Sequence, residues 1–465
     1  MKKMASYISK RGYVISKKNF TPEIIEKVKN ELTVKPNVNE DYGVKAVSYK
    51  VYLEGKTKLY LPKYYAIKKF GPAKSKVHDG YDIDVKFKGG IRENQKEAVD
   101  RTLKQMYSVG GGLLSLPCGK GKTVISLYIL SQLKKKTLVI VNQEFLMEQW
   151  IERINTFLPD MRVGKVQRNK VEIDGYDISL AMLKSLSMRD YPKDTFKDVG
   201  FVIVDECHNI ATKEYSKALQ KVCSKYMLGL SATPNRKDGL TKVITWFVGD
   251  IFMKDEDKRK LDVDVERYIL KYDDERYNKV LLNYRKKPFI AKMITNIAEY
   301  KPRNDFIIEK IYKMLEKEGT QILVLSERIS QLKYIYETIK EKDETLCGYF
   351  IGGMKAHERE ESMSKKVILG TFHIAREALD IKSLNSLILA TPKSDIVQAV
   401  GRIMRTNYGD HLIVDLVDNF SSFARQAIRR KKYYEKKEYN IKTFNFDNDE
   451  VINHKKSIDF SKSVF

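Results

Sequence analysis

The stretch Leu114-Ser-Leu-Pro-Cys-Gly-Lys-Gly-Lys-Thr123 decides the fold of one part of this 465-residue chain. It opens as an apolar strand, turns at two glycines, and leads into an apolar helix predicted over Val124–Leu133. Glycine lets backbone N–H groups approach a bound oxygen without a Cβ in the way, and the start of a helix favours an anion. We therefore expect a phosphate-binding loop between a buried strand and a helix.

Each residue type in this loop has an expected contact with a nucleotide. Lys122 would reach the β- and γ-phosphates, and the Thr123 hydroxyl would ligate Mg²⁺. The full pattern G-x-x-x-x-G-K-T has glycine where this chain has Leu116, so only its second half is intact. A short G-K-T also arises by chance in a lysine-rich chain; the flanking strand and helix favour the phosphate loop. The other residues expected to contact the nucleotide here are Pro117, Cys118, Gly119, Lys120 and Gly121.

The length and charge of the chain bound its organisation and its partners. A chain of 465 residues accommodates two or three domains. With 86 Lys and Arg against 61 Asp and Glu, the net charge is +25, which favours an extended anionic partner. Nucleic acid comes first and a membrane surface second. The alternative is that the lysine excess reflects only an A/T-rich genome.

The apolar patterning and the cysteines exclude several other classes. No stretch has the apolar length that a bilayer span needs, so we expect no membrane partner. The four cysteines are far apart and form no C-x-x-C pair, so neither a zinc site nor a disulfide framework is indicated. We expect a soluble, intracellular protein.

Alternating strands and helices predict the fold class. The pattern is that of an α/β protein with two doubly wound parallel-sheet lobes, preceded by a small mixed or β-rich N-terminal domain. We expect domains over residues 1–88, 89–255 and 256–435, with a charged connector at 256–303 and a polar tail at 436–465. The N-terminal domain is a candidate DNA-binding element. The predicted strands are Gly112–Leu116, Thr137–Val141, Ile178–Leu180, Phe201–Val204, Met227–Leu230, Val265–Leu270, Gln321–Leu325, Val367–Leu369, Ser386–Ala390 and His411–Leu416.

An acidic pair directly follows one of these buried strands. Phe201–Val204 is continuously apolar, and Asp205 and Glu206 come next. The carboxyl ends of parallel strands are where ligands sit in such sheets, and two adjacent carboxylates there are costly without a cation. We expect Asp205 to hold Mg²⁺, partly through water, and Glu206 to orient and deprotonate the attacking water. The alternative is a solvated strand end without a catalytic role.

A basic helix in the second lobe supplies a complementary set of residues. In the helix predicted over Ser394–Arg405, the side chains of Gln398, Arg402 and Arg405 share one face. Two guanidinium groups and an amide suit the γ-phosphate of a nucleotide, as an arginine finger does. By itself, such a face is also typical of a solvated basic helix.

Four segments occur along the chain in the order Gly119–Thr123, Asp205–His208, Ser231–Thr233 and Gln398–Arg405. In this order they resemble motifs I, II, III and VI of superfamily 2 helicases. Within that superfamily, they are most similar to the XPB/UvsW-like DNA helicases of large DNA viruses and phages. One departure is Ala378, which stands where motif V usually carries glycine. In addition to these four motifs, the resemblance is carried by Arg92–Gln95, Val139–Trp150, Leu323–Ser326, Gly370–Thr371 with Asp380–Ile381, and Ala390–Asp395.

The resemblance implies two RecA-like lobes that clasp ATP and Mg²⁺ and an ATP-driven motor that works on nucleic acid. It implies that Arg92 and Gln95 read the adenine, that Asp380 contacts the nucleotide, and that Gln398, Arg402 and Arg405 act with Glu206 in catalysis. It assigns Val139–Trp150 to a nucleic-acid backbone contact.

The predicted function is a DNA helicase that unwinds or branch-migrates DNA, with DNA favoured over RNA and a monomer favoured. Three alternatives stay open: a double-stranded DNA translocase that displaces proteins or transcripts, an RNA helicase, and a nucleic-acid binding or annealing module with a degenerate ATPase.

Overall fold

The computed structural model describes residues 6–37, 46–117, 119–255, 262–284, 286–373, 381, 383–404 and 410–446. These residues form two compact units, the first ending at 255 and the second beginning at 262. Each unit contains a parallel sheet, so the predicted α/β class with two doubly wound lobes and a small N-terminal β region is confirmed.

The first unit contains an N-terminal sheet and an eight-stranded sheet that is parallel except for its edge strand β11 (Lys170–Val171), which pairs antiparallel with β10 (Val163–Gln167). The N-terminal sheet has the order β5-β6-β2-β1-β7, and the larger sheet has the order β11-β10-β12-β9-β13-β14-β8-β15. Its strands are β1 (Tyr7–Ser9), β2 (Gly12–Ser16), β3 (Thr33–Val34), β4 (Tyr49–Lys50), β5 (Leu53–Glu54), β6 (Lys58–Leu61), β7 (Lys74–Ser75), β8 (Gly111–Ser115), β9 (Thr137–Val141), β10 (Val163–Gln167), β11 (Lys170–Val171), β12 (Ile178–Met182), β13 (Phe201–Val204), β14 (Tyr226–Ser231) and β15 (Ile251–Lys254). Its helices are α1 (Pro22–Glu31), α2 (Lys63–Phe70), α3 (Glu93–Val109), α4 (Lys122–Leu133), α5 (Glu144–Phe157), α6 (Leu183–Met188), α7 (Ser216–Leu219) and α8 (Thr241–Val248).

The central strands of the eight-stranded sheet are apolar at consecutive positions and are buried on both faces. Leu113 belongs to the core that contains α8, whereas Leu114 belongs to the core that contains α4 and α5. Successive side chains of a strand point to opposite faces, so one strand feeds two cores. This is why the strands read as continuous apolar runs in the sequence.

The N-terminal sheet is attached to the eight-stranded sheet through helix α2. Its Lys63 is buried, and the Lys63 Nζ donates hydrogen bonds to the carbonyls of Ser224 (3.1 Å) and Lys225 (2.9 Å). Strand β6 ends at Leu61, and α2 begins at Lys63. Pro62 separates the two elements, and its fixed φ suits the residue before a helix.

The second unit is a seven-stranded parallel sheet with the order β18-β19-β17-β20-β21-β16-β22. Its strands are β16 (Val263–Leu270), β17 (Ile322–Ser326), β18 (Cys347–Phe350), β19 (Val367–Thr371), β20 (Ser386–Leu389), β21 (His411–Asp418) and β22 (Asn440–Asn445). Its helices are α9 (Glu275–Asn278), α10 (Ile290–Ala298), α11 (Lys301–Leu315), α12 (Ile329–Lys340), α13 (Ala356–Ser364), α14 (Val397–Ile403) and α15 (Ser421–Lys436). The sequence pattern did not predict β18 or β22.

Two buried arginines fasten the carboxyl ends of the central strands of this unit. Arg303 in α11 and Asp418 at the end of β21 are both fully buried and form a two-fold ion pair, with N···O distances of 2.8 and 2.9 Å. The same guanidinium donates to the carbonyl of Ala390, just after β20. Arg430 in α15 makes the matching contact with Asp415, at 2.8 Å from its Nε. These bonds fix the loops that follow β20 and β21.

Among the helices in the described ranges, none combines the length and the apolar character that crossing a bilayer requires.

Candidate active site

The carboxyl edge of the eight-stranded sheet brings together the segments expected to bind a nucleotide. Strands β13, β14 and β8 are consecutive neighbours, with Val204 paired to Gly229 and Ser231 paired to Ser115. The chain therefore presents Asp205, Ser231 and the loop after Ser115 at one edge. These segments are far apart along the chain and become neighbours through the order of the strands in the sheet.

The loop before α4 has the backbone that a phosphate cradle needs. Gly119 and Gly121 have φ values of 79° and 76°, which favour glycine, and a Cβ on Gly121 would lie 2.1 Å from the Gln95 side-chain amide. The Lys122 ammonium group donates to the carbonyls of Leu116 (3.0 Å) and Pro117 (3.5 Å), which places it over the loop. Lys120 lies 3.9 Å from the carboxylate of Asp255.

The departure from the full loop pattern at Leu116 has a structural explanation. The Leu116 N–H donates to the Ser231 carbonyl at 3.2 Å, so residue 116 continues the strand pairing. Its side chain is 3% exposed and lies in the core. Its φ is not positive, so a glycine is not required at this position.

Gln95 supports the loop from the start of α3. Its Oε1 accepts a hydrogen bond from the Arg92 N–H (3.2 Å), and its Nε2 donates to the Lys120 carbonyl (3.2 Å). Gln95 is 5% exposed. The residue that the resemblance assigns to adenine recognition thus also ties the phosphate loop to helix α3, a contact that sequence reasoning did not anticipate.

Two N–H groups of the first unit hold the Asp205 carboxylate. Its Oδ2 accepts from the indole N–H of Trp150 at 2.8 Å, and its Oδ1 accepts from the Glu206 N–H at 2.9 Å. Burial and the neighbouring Glu206 carboxylate raise the pKa of Asp205 to about 6, whereas the Trp150 hydrogen bond and the Lys122 charge lower it. A carboxylate in this setting is stabilised by a further cation.

Glu206 has an unusual backbone conformation. Its φ of 43° and ψ of 50° lie in the left-handed region, which costs a residue with a side chain about 1 kcal/mol or more. The Nδ1 of His208 lies 3.2 Å from Glu206 Oε2 and 3.1 Å from Ser231 Oγ. The Ser231 hydroxyl in turn accepts from the Thr233 N–H at 3.1 Å. His208 therefore joins the acidic pair to the segment after β14.

Trp150 and Arg236 are the site residues that sequence reasoning missed in these roles. The resemblance assigned Trp150 to a nucleic-acid backbone contact, but its side chain is 1% exposed and bonded to Asp205. Arg236 donates to the carbonyl of His208 and pairs with Asp238, 3.0 Å from its Nε. Periodicity could have shown Trp150 to be buried on α5, but no local signal gives its partner.

Two of the three residues expected on the basic helix lie in the described part of the second unit. Gln398 and Arg402 lie one turn apart on α14 and so share a face; Gln398 is half-buried and Arg402 is 6% exposed. Arg405 and Asp380 lie outside the described residues, as does Cys118 of the phosphate loop.

Two protein families match successive parts of this chain. Residues 88–236 match the family model described as "Type III restriction enzyme, res subunit", and residues 306–407 match the "Helicase conserved C-terminal domain". The chain is 35% identical over 452 residues to a protein of Acanthamoeba polyphaga mimivirus that carries the name ATP-dependent RNA helicase L396. That match covers 94% of this chain and 86% of the relative. The chain belongs to the superfamily 2 helicases.

Two further relatives match this helicase over about three quarters of its length. A protein of African swine fever virus, also named as an ATP-dependent RNA helicase, is 27% identical over 75% of this chain and 73% of its own length. The DNA 3'-5' translocase XPB2 of Sulfurisphaera tokodaii is 26% identical over 75% of this chain and 86% of its own length. The expected relation to viral helicases is confirmed. As a superfamily 2 helicase, the protein is an ATP-hydrolysing motor that works on nucleic acid.

Proposed function

We propose that this helicase uses Mg²⁺ and ATP to unwind or branch-migrate DNA. The observation that carries the catalytic part is the edge formed by β8, β13 and β14, where Lys122, Asp205 and Glu206 lie together. A cation for phosphates, a buried carboxylate for a metal and a carboxylate for water are the parts that phosphoryl transfer requires.

The residues at this edge fit a magnesium ion. Among the described residues, no three His, Cys, Asp or Glu side chains cluster as a protein-only metal site. Mg²⁺ prefers one or two carboxylates plus phosphates and water, which matches Thr123 and Asp205 at the head of α4 and the end of β13. The raised pKa of Asp205 also fits, because a divalent cation would favour the ionised carboxylate. The ion would supply charge neutralisation for the β- and γ-phosphates.

The other side chains take the following roles in this proposal. The backbone of residues 117–121 and the Lys122 ammonium group hold the phosphates, and Glu206 orients and deprotonates the attacking water. Arg92, Gln95 and Asp380 contribute to nucleotide binding. Gln398, Arg402 and Arg405 stabilise the charge that develops on the γ-phosphate, as arginine fingers do.

The names of the relatives divide between DNA and RNA as the substrate. The archaeal relative carries the name of a DNA translocase, whereas the two viral relatives carry the name of RNA helicases. Similarity of the motifs to XPB/UvsW-like DNA helicases favours DNA. A double-stranded DNA translocase that does not separate strands, or an RNA helicase, is the second candidate, and the names of these relatives favour each of them.

The substrate is testable by stimulation of ATP hydrolysis at one salt concentration. We expect single-stranded DNA, duplex DNA or a four-way DNA junction to stimulate phosphate release more than RNA of matched length does. The Lys122→Ala variant serves as the reference for contaminating activity. Greater stimulation by RNA would overturn the DNA assignment, and a forked-duplex displacement assay separates a helicase from a translocase.

The proposed domain roles follow from the same division. Residues 1–88 form an accessory DNA-binding region, and residues 89–255 form the ATP-binding lobe. Residues 256–435 form the second lobe, whose sheet also takes in parts of both expected flanking segments: β16 (Val263–Leu270) lies in the expected connector at 256–303, and β22 (Asn440–Asn445) lies in the expected tail at 436–465.

Removal of the indole N–H at Trp150 tests the metal assignment of Asp205. Partners that orient a metal-binding carboxylate typically contribute 10–100-fold to metal affinity or activity. We expect Trp150→Phe, which keeps the buried ring, to raise the half-saturating Mg²⁺ concentration about 10-fold. The measurement is Mg²⁺-dependent binding of a fluorescent ADP analogue, which needs no turnover.

The matched control is Trp246→Phe, because the chain has two tryptophans and Trp246 lies on α8 against Tyr65 instead. That variant should leave the Mg²⁺ dependence unchanged. Equal Mg²⁺ dependence in both variants would contradict the role given to Trp150.

A further inference from the structure

The N-terminal sheet has one face in the core and one face that turns away from it. Ile8, Tyr13 and Leu59 lie in the core of the first unit, together with Ile25 and Val28 of helix α1. The alternate positions Tyr7, Val14 and Tyr60 are direct neighbours across β1, β2 and β6. Side chains alternate between the faces of a strand, so these three residues lie on the opposite face.

Basic side chains surround the two tyrosines of this face. The Nζ atoms of Lys76 and Lys58 lie 4.3 and 5.5 Å from the centre of the Tyr7 ring, and Lys58 Nζ donates to the Tyr7 hydroxyl at 3.2 Å. The Arg11 guanidinium lies 5.6 Å from the centre of the Tyr60 ring. Lys74 on β7 is paired in register with Tyr7. We call Tyr7, Arg11, Lys58, Tyr60, Lys74 and Lys76 the outer basic face.

The cations of this face are not neutralised by carboxylates. Residues 6–37 and 46–76 contain 15 Lys and Arg residues against four Glu and no Asp. Elsewhere in the first unit, lysines pair with acidic groups, as Lys10 does with Asp194 and Lys17 with Glu54. Within the described ranges, none of the four cations of the outer basic face has an ion pair with a carboxylate. Their charge is available to an external anion.

The tyrosine rings point to phosphate rather than base recognition. Cation–π contact orders Lys58 and Lys76 before any ligand arrives, so less side-chain entropy is lost on binding. A single strand is usually bound by stacking its bases on aromatic rings, and stacking on Tyr7 would displace these lysines. Duplex presents its phosphates outward and offers no base face to stack.

We propose that the outer basic face binds the sugar–phosphate backbone of duplex nucleic acid without regard to sequence. This proposal rests on the proposed function and deepens it by assigning a second contact with the substrate, in the same compact unit as the ATP-binding edge. Because α2 ties this sheet to the eight-stranded sheet, the duplex contact and the ATP-binding edge belong to one unit.

The test is the salt dependence of duplex binding by the full chain without nucleotide. Fluorescence anisotropy with a labelled 20-bp duplex gives log K against log[KCl] for wild type and for the double variant Lys58→Gln/Lys76→Gln. Each lost phosphate contact on duplex DNA reduces the magnitude of the slope by about 0.9, so we expect a reduction of about 1.8 and weaker binding. The effect should be the same for duplexes of different sequence.

The matched control is Lys27→Gln/Lys35→Gln, which removes the same charge from exposed positions of the same region. Lys27 lies on α1, which packs on the core side of the sheet, and Lys35 follows β3. An equal change of slope in both double variants would overturn the proposal, because net charge alone would then explain it. A loss of binding to an oligo(dT) single strand as large as that to duplex would overturn the duplex assignment.

Measuring ATP hydrolysis together with duplex binding separates the two proposals. If wild-type ATP hydrolysis is not stimulated by any nucleic acid, the proposed function fails. If hydrolysis is stimulated and the Lys58/Lys76 variant binds duplex like the control, only the outer basic face is assigned wrongly.

Discussion

Glu206→Gln is expected to lower the kcat for ATP hydrolysis by about 10²–10⁴-fold, because an amide cannot accept the proton of the attacking water. The glutamine keeps the shape of the side chain and the left-handed backbone at this position, so the fold should be unaffected. Phosphate release at saturating nucleic acid gives kcat. Binding of a fluorescent ATP analogue should change by less than about 3-fold, since general-base catalysis acts in the transition state.

Glu214→Gln is the matched control for this prediction. Glu214 lies in the chain segment just after the acidic pair, is solvent-exposed and pairs only with Lys217 among the described residues. Its replacement should leave kcat within about 2-fold, since exposed ion pairs contribute little. A Glu206→Gln enzyme with near-normal kcat would show that another group accepts the proton.

Arg303→Met is expected to destabilise the second unit by about 3–5 kcal/mol, because it leaves the buried Asp418 carboxylate without its cation. The Tyr277 hydroxyl, which donates to Asp418 at 2.6 Å, cannot replace a two-fold ion pair. The loss should lower the melting temperature of this unit by about 10 °C. Differential scanning calorimetry gives that temperature, and hydrogen exchange of peptides from β20 and β21 locates the loosened region.

Arg276→Met provides the comparison for a surface arginine in the same unit. Arg276 also forms a two-fold pair, with Asp274, but its side chain is 84% exposed. Its removal should leave the melting temperature almost unchanged, since exposed ion pairs contribute little to stability. If the two variants melt at the same temperature, the buried pair does not stabilise the unit as argued.

The central strands of both sheets could be predicted from sequence because each is buried on two faces. Thr137–Val141 and Phe201–Val204 are continuous apolar runs, and the structure has strands with the same bounds. Strand β22, Asn440–Asn445, could not be predicted in this way. It lies at a sheet edge, with one neighbouring strand among the described residues, and only Ile441 and Phe444 of its six residues are apolar.

The candidate site could be predicted where the residues are close in sequence and follow a strand. This holds for the phosphate loop and for Asp205 with Glu206. The partners of these residues could not be predicted, because Trp150 and Gln95 reach the site from other elements and their contacts depend on tertiary packing. Arg303 was placed in a charged connector by its neighbours in sequence, yet it is fully buried, because one distant carboxylate compensates its charge.

The position of β16 has a consequence for how this protein is made. It is the first strand of the second unit to be synthesised, yet its partners in the sheet are β21 and β22, the last two. During synthesis, more than a hundred residues separate β16 from β21 and β22 along the chain. Until these partners leave the ribosome, both hydrogen-bonding edges of β16 are unpaired. The nascent chain is therefore exposed to aberrant strand pairing during that interval, and a host with ample chaperone capacity should give a better yield of folded protein.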